Sequence, residues 1–182
     1  MSDLPSTGRQ LRTEVTSAGE LKLNLVDVPT AAPKPEQVVV RVEASPINPS
    51  DLGLLLGMAD VSTAKQVGSD DNPAITAEVP AGILPHLKAR WDESMPVGNE
   101  GGGVVVAAGD SPEAQALLGK TVGVLGGAMY GEYRTLHVSQ CLAMHDGVTP
   151  RESASCFVNP LTALGMVAVS YTHLTLPTKQ DV

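Results

Sequence analysis

Residues 98–109 read GNEGGGVVVAAG. Glycines and one carboxylate run straight into five apolar residues. A short apolar run bounded by glycines reads as a buried strand. The glycines do not make a phosphate loop, because such a loop opens a helix and this one opens a strand. Glu100 would also repel a pyrophosphate. The glycines instead permit positive φ or close backbone approach.

Outward from this strand the pattern stays extended. Residues 21–28, LKLNLVDV, alternate apolar and polar, the period of a half-buried strand. Residues 37–44, QVVVRVEA, form a second strand after a Pro-rich connector. Residues 120–125 and 131–143 read as further strands, and 118–131 (LGKTVGVLGGAMYG) as a hairpin. Residues 1–12 are polar, either loose or a first edge strand, and 59–80 read as a polar surface excursion. Helical signals are few. Ser50 or Asp51 caps a short helix ending near Leu56, Pro80–Trp91 reads as a helix entered at Pro85, and 111–118 as a helical turn. Thr149, Pro150 and Glu152 make an N-cap, N1 and N3 signature, and helical character continues from Asn159 to Val169. About six strands with few helices predict a mainly β fold, a distorted barrel or closed sheet.

Composition agrees. The 182 residues are 42% hydrophobic but only 3% aromatic, so the core is aliphatic. Gly 18 and Pro 14 are too much punctuation for a helical bundle. A net charge of −8 without a basic run argues against nucleic acid and against a membrane surface. Two cysteines, Cys141 and Cys156, make no disulfide framework, and the polar N-terminus shows no signal peptide. The expected compartment is the cytoplasm.

No metal-ligand spacing occurs among His86, His137, His145 and His173 or the two cysteines. The glycines at 118–131 do not fall as GxGxxG, although Asp146 stands about where a ribose-binding acid would. No GxSxG elbow is present. What remains is a set of polar groups in apolar, Pro-fixed segments. They are Asn48 and Ser50 in PINPSD, Asn99 and Glu100 in VGNEGG, and Asn159 and Thr162 in FVNPLTALG. An Asn amide donates and accepts at once, which suits a nicotinamide carboxamide. Taken singly, each is equally an ordinary turn former or helix cap.

Together, in this order and spacing, PINPSDLGLLLG (46–57), PVGNEGGGVVVAAG (96–109) and the block from Gly119 to Val167 resemble the medium-chain dehydrogenase/reductases. The resemblance runs from about Leu21 to Val169 and is nearest the zinc-free quinone reductases and 2-enoyl thioester reductases. It implies a GroES-like distorted β-barrel over 21–158, with 1–20 as an N-terminal extension. It also implies that 159–169 begin a helix leading to a Rossmann domain that these residues do not contain. Residues 170–182 (SYTHLTLPTKQDV) change character, with Pro177 forbidding a helix interior, and read as a non-native or disordered tail.

By the same resemblance the cofactor is NADPH or NADH, bound mainly by the absent domain. Asn48 would face nicotinamide and substrate, and Asn159 and Thr162 would meet the nicotinamide side. The family's zinc members carry a Cys in the 46–51 loop and a His where this chain has Asn99, so no metal is expected. The tyrosine that donates a proton in enoyl reductases has no counterpart after the loop; Tyr133 takes that place, with Tyr130 beside it. The implied partner is a small-molecule substrate, a quinone or an α,β-unsaturated carbonyl or thioester, and the longer protein pairs into a homodimer. The competing readings are a stand-alone GroES-like binding module and a zinc alcohol dehydrogenase.

Overall fold

The computed structural model describes residues 4–173. Its framework is two five-stranded antiparallel sheets, with strand orders β4-β5-β2-β1-β6 and β10-β8-β7-β3-β9. In the first sheet, β1 (Thr7–Val15), β2 (Glu20–Pro29), β4 (Asp60–Gly68) and β5 (Pro73–Glu78) carry the pairing, and β6 is the short Met95–Pro96. The second sheet holds β3 (Gln37–Ala44), β7 (Glu100–Ala108), β8 (Thr121–Leu125), β9 (Tyr133–His137) and β10 (Cys141–Ala143). The helices are α1 (Pro49–Leu56), α2 (Pro112–Gln115), α3 (Pro150–Ser153) and α4 (Val158–His173).

The mainly β expectation holds, but the sheets do not close into one barrel. They meet along one seam, where Leu11 N–H donates to Tyr130 O at 2.8 Å and Glu132 N–H to Arg9 O at 2.9 Å. Each sheet keeps its own aliphatic core. Val38, Val40, Val105, Val122, Val124, Met129 and Leu136 fill the second. Val15, Leu21, Leu23, Ala77 and Val79 fill the first. Each fully buried valine contributes about 1.5–3 kcal/mol. The run Val38–Val40 is buried at all three positions, so β3 is covered on both faces.

Several expectations are corrected. The supposed extension 1–20 contains β1, which pairs with β2 from Thr7↔Pro29 to Val15↔Leu21 and lies inside the sheet. Its apolar signal is thin because Thr13 and Gln10 occupy buried positions. The excursion 59–80 is the β4–β5 hairpin, turning at Ser69–Asn72. β4 is an edge strand with nearly every residue exposed, so it lacks apolar alternation. The 118–131 hairpin is not formed: β8 pairs with β7 and β10, while β9 pairs with β3. The helix over 80–91 is a 3₁₀ segment, Leu84–Arg90, whose entry closes with three-residue bonds such as His86 N–H to Ile83 O. The cap of α1 lies two residues before Ser50, at Asn48, with Pro49 at N1. The cap at Thr149 forms as expected, and the helical turn after residue 111 is α2, capped by Ser111. α4 passes Val169 and runs to His173, so the tail's first residues continue the helix. The rest of the expected tail lies outside the described residues.

Candidate functional site

Three loops converge where α1, β7 and α4 begin. Asn48 caps α1, and its backbone N–H donates to Asp51 Oδ2 at 2.9 Å. Asp51, in the first turn of α1, also accepts from the backbone N–H of Asn99 through Oδ1 at 2.9 Å. Asn99 returns the contact, donating its side-chain amide to Ser50 Oγ at 2.8 Å. One buried carboxylate thus fastens the 46–51 loop to the 96–100 loop. The sequence signal for it was available: an acid three residues after Asn is the reciprocal capping pattern.

Glu100 makes the second junction. It is fully buried, with 0% exposure. Its Oε2 accepts from the backbone N–H groups of Phe157 and Val158, each at 2.9 Å, at the start of α4. A carboxylate at a helix N-terminus satisfies orphan donors and faces the positive end of the helix dipole. Its Oε1 accepts from Asn48 Nδ2 at 3.1 Å. Asn48 Oδ1 in turn accepts from Asn159 Nδ2 at 3.4 Å. A carboxylate only accepts, so it fixes which way the Asn48 amide points and, through it, the Asn159 amide.

Asn48 is therefore 2% exposed with both ends of its amide engaged. It lies beneath the surface as a strut and orients Asn159. Asn159 and Thr162 are exposed on the first turns of α4. The Thr162 hydroxyl donates back to Val158 O at 2.6 Å, which leaves its oxygen able to accept. Around them the surface is apolar, with Ile47, Leu161, Leu164 and Met166 all more than half exposed.

Tyr133 is elsewhere. It sits on β9 opposite Arg41, in a hollow shared with Thr7, Glu43 and Glu132, with its ring against Gly8. Tyr130 is the tyrosine that reaches the cluster. Its hydroxyl donates to Pro46 O at 3.0 Å, and its ring packs on Gly98, whose φ of +96° and lack of a Cβ make room. Burial pushes the Tyr130 phenol up to about 12, and the neighbouring Asp51 carboxylate adds to the shift. Among the described residues no three His, Cys, Asp or Glu side chains gather as a metal-ligand set. Burial raises both thiols, Cys141 to about 11.

No protein-family model and no curated protein matches the sequence. Solved structures do. A protein of Mesorhizobium loti described as an NADPH:quinone reductase is 25% identical, with a TM-score of 0.59 over 93% of this chain and 45% of that one. The quinone oxidoreductase of Coxiella burnetii is 18% identical, with a TM-score of 0.60 over 91% of this chain and 45% of that one. The CurK enoyl reductase is 20% identical, with a TM-score of 0.57 over 86% of this chain and 41% of that one. The chain thus spans less than half the length of these structures, and over that span it carries the fold of the medium-chain dehydrogenase/reductase family as it occurs in quinone and enoyl reductases.

Proposed function

We propose that the chain is the substrate-domain half of an NAD(P)H-dependent, zinc-free oxidoreductase. Its substrate is a quinone or an α,β-unsaturated carbonyl or thioester. The observation that carries this reading is the Glu100–Asn48–Asn159 relay beneath the exposed start of α4, in a fold shared with such reductases. A bound nicotinamide supplies the hydride. Asn159 and Thr162 offer a carbonyl oxygen and a hydroxyl oxygen where its carboxamide would lie, and Asn48 holds Asn159 in that orientation. Donors aimed at the acceptor oxygen stabilise the charge that develops there. Tyr130, whose hydroxyl reaches Pro46 O beside Asn48, is better placed for the proton-donor role than Tyr133, which stands opposite Arg41 on the far strand of the second sheet.

The loop residues support work without zinc. Asn48, Ser50 and Asn99 offer neither thiolate nor imidazole, and their amides already bond to protein groups. The dinucleotide is held mainly by a further domain, against which the apolar face of α4 (Leu161, Leu164, Val167) packs; all three are exposed here. The 182-residue chain alone is then inactive. The longer protein is a cytoplasmic homodimer.

The test is to read the source DNA across codon 169, express the continuous frame, and follow NADPH consumption with a quinone and with an enoyl thioester. A Gly-rich dinucleotide domain and turnover without zinc support the reading. A stop after Val182, with no turnover, favours a stand-alone binding module instead.

A further inference from the structure

Asp146 takes no part in the polar cluster. It lies in the loop between β10 and α3, and it is the only Asp or Asn in the chain directly followed by glycine. The pair Asp146–Gly147 forms the tip of a turn closed by Val148 N–H to His145 O at 3.2 Å. Gly147 has φ +88° and Asp146 is not among the positive-φ residues, the pattern of a type II turn with glycine at its third position. Gly147 N–H donates to no group among the described residues. The Asp146 carboxylate makes no hydrogen bond and no ion pair there either. Both residues are exposed, and a Cβ at Gly147 would meet nothing within 4 Å. A carboxyl and the next backbone nitrogen thus stand side by side, both unhindered and both free of partners.

The other Asp and Asn residues differ. Asn48, Asn72 and Asn159 precede prolines, which have no N–H to give up. Asp71 and Asp110 are exposed and precede the short residues Asn72 and Ser111. Those two N–H groups are held, Asn72 by Ser69 O and Ser111 by Pro35 O, each at 3.1 Å. The rest precede bulkier side chains that crowd the nitrogen.

We propose that Asp146–Gly147 is a site of spontaneous isoaspartate formation. The Gly147 nitrogen attacks Cγ of the protonated Asp146 carboxyl. An N–Cγ bond forms and the C–OH bond breaks, so the hydroxyl and the amide proton leave as one water and a five-membered imide closes. Water then adds back. Opening at the side-chain carbonyl restores Asp146, and opening at the backbone carbonyl leaves an isoaspartyl link. Composition is unchanged, and no oxidant or cofactor is needed. The product carries a free α-carboxylate on the loop surface and one extra methylene in the main chain ahead of the Thr149 cap. Loop tips tolerate such a change. This site is independent of the reductase reading, since it needs neither nicotinamide nor a further domain.

The experiment is prolonged incubation of the native 182-residue chain at mildly acidic pH, beside the same chain in guanidinium chloride. Trypsin then releases residues 135–151, in which Asp146 is the only acid. Methyl transfer by an L-isoaspartyl carboxyl methyltransferase, with fragmentation of each peptide in the mass spectrometer, locates and counts the isomer. The expected result is isoaspartate in 135–151 at nearly the same rate in the native and the denatured chain. At Asp110–Ser111 and Asp71–Asn72 folding should slow the reaction about two- to tenfold, because each attacking N–H must first leave its acceptor. Asp146→Glu keeps the charge but requires a six-membered ring, and should abolish the signal in 135–151. Absence of the isomer from native 135–151 overturns the proposal, whatever the denatured chain shows. Equal slowing by folding at all three sites overturns the claim that the turn leaves Asp146–Gly147 free to react, and an undiminished signal in Asp146→Glu overturns the assignment to Asp146.

Discussion

Exchanging Glu100 separates the charge of the relay from its hydrogen bonds. In Glu100→Gln one carboxylate oxygen becomes an NH2 group. The remaining oxygen can still accept from Phe157 and Val158 N–H. The new donor then faces Asn48 Nδ2, also a donor, so Asn48 must flip its amide and Asn159 must follow. The bond count survives and the charge is lost. Charged hydrogen bonds contribute about 1.5–3 kcal/mol and neutral ones about 0.5–1.5, so three bonds lose about 3–4.5 kcal/mol. Relief from burying an ion offsets part of this. The expected destabilisation is about 1–2 kcal/mol. Glu100→Ala leaves the same three donors unsatisfied at about 1–3 kcal/mol each, and the expected cost is about 4–6 kcal/mol. The assay is urea unfolding of the three proteins, with amide hydrogen exchange read at Phe157 and Val158. Exchange there should quicken about tenfold for each 1.4 kcal/mol lost locally. The reasoning is refuted if Glu100→Ala unfolds within about 1 kcal/mol of the parent and the two amides keep their protection.

Three further predictions rest on other contacts. Tyr130 has a raised folded-state value, so its contribution is complete below its ordinary 10.0 and is lost as pH rises toward about 12. Stability measured across that window should fall more steeply in the parent than in Tyr130→Phe, and parallel slopes would contradict this. Gly102→Ala drives a Cβ into Pro150 O and Ser153 Oγ, which lie directly against β7, and should cost about 1–3 kcal/mol in a denaturant midpoint. Thr149→Ala removes the acceptor for the Glu152 N–H at the start of α3 and should cost about 1 kcal/mol by the same measurement.

Much of the frame was legible in the residues. The alternation at 21–28 and the run Val38–Val40 each announced a strand, and both are strands. Thr149, Pro150 and Glu152 announced a cap, and the cap forms because its atoms are local. The three Pro-fixed segments do converge on one cluster, since Asn48, Glu100 and Asn159 bond in series. What was hidden was non-local. β1 spends buried positions on Gln10 and Thr13, and the Thr13 hydroxyl finds its partners far along the chain, donating to Leu55 O 42 positions away and accepting from Arg90. β4 faces water and β5 fully buries only Ala77, so no apolar period marks them. Which of Tyr130 and Tyr133 lies beside the cluster is set by strand order, because β9 pairs on the far side of β3 and carries Tyr133 with it.

The measurement that tests the central claim most directly is titration of the isotopically labelled 182-residue chain with NADPH, read residue by residue. The account predicts weak binding, with shifts centred on the Asn159 side-chain amide and the Thr162 backbone and abolished in Asn159→Ala. Shifts confined to other surfaces, or no shift at all, would contradict the claim that the start of α4 receives the nicotinamide. Tight binding would contradict the claim that a further domain holds most of the dinucleotide.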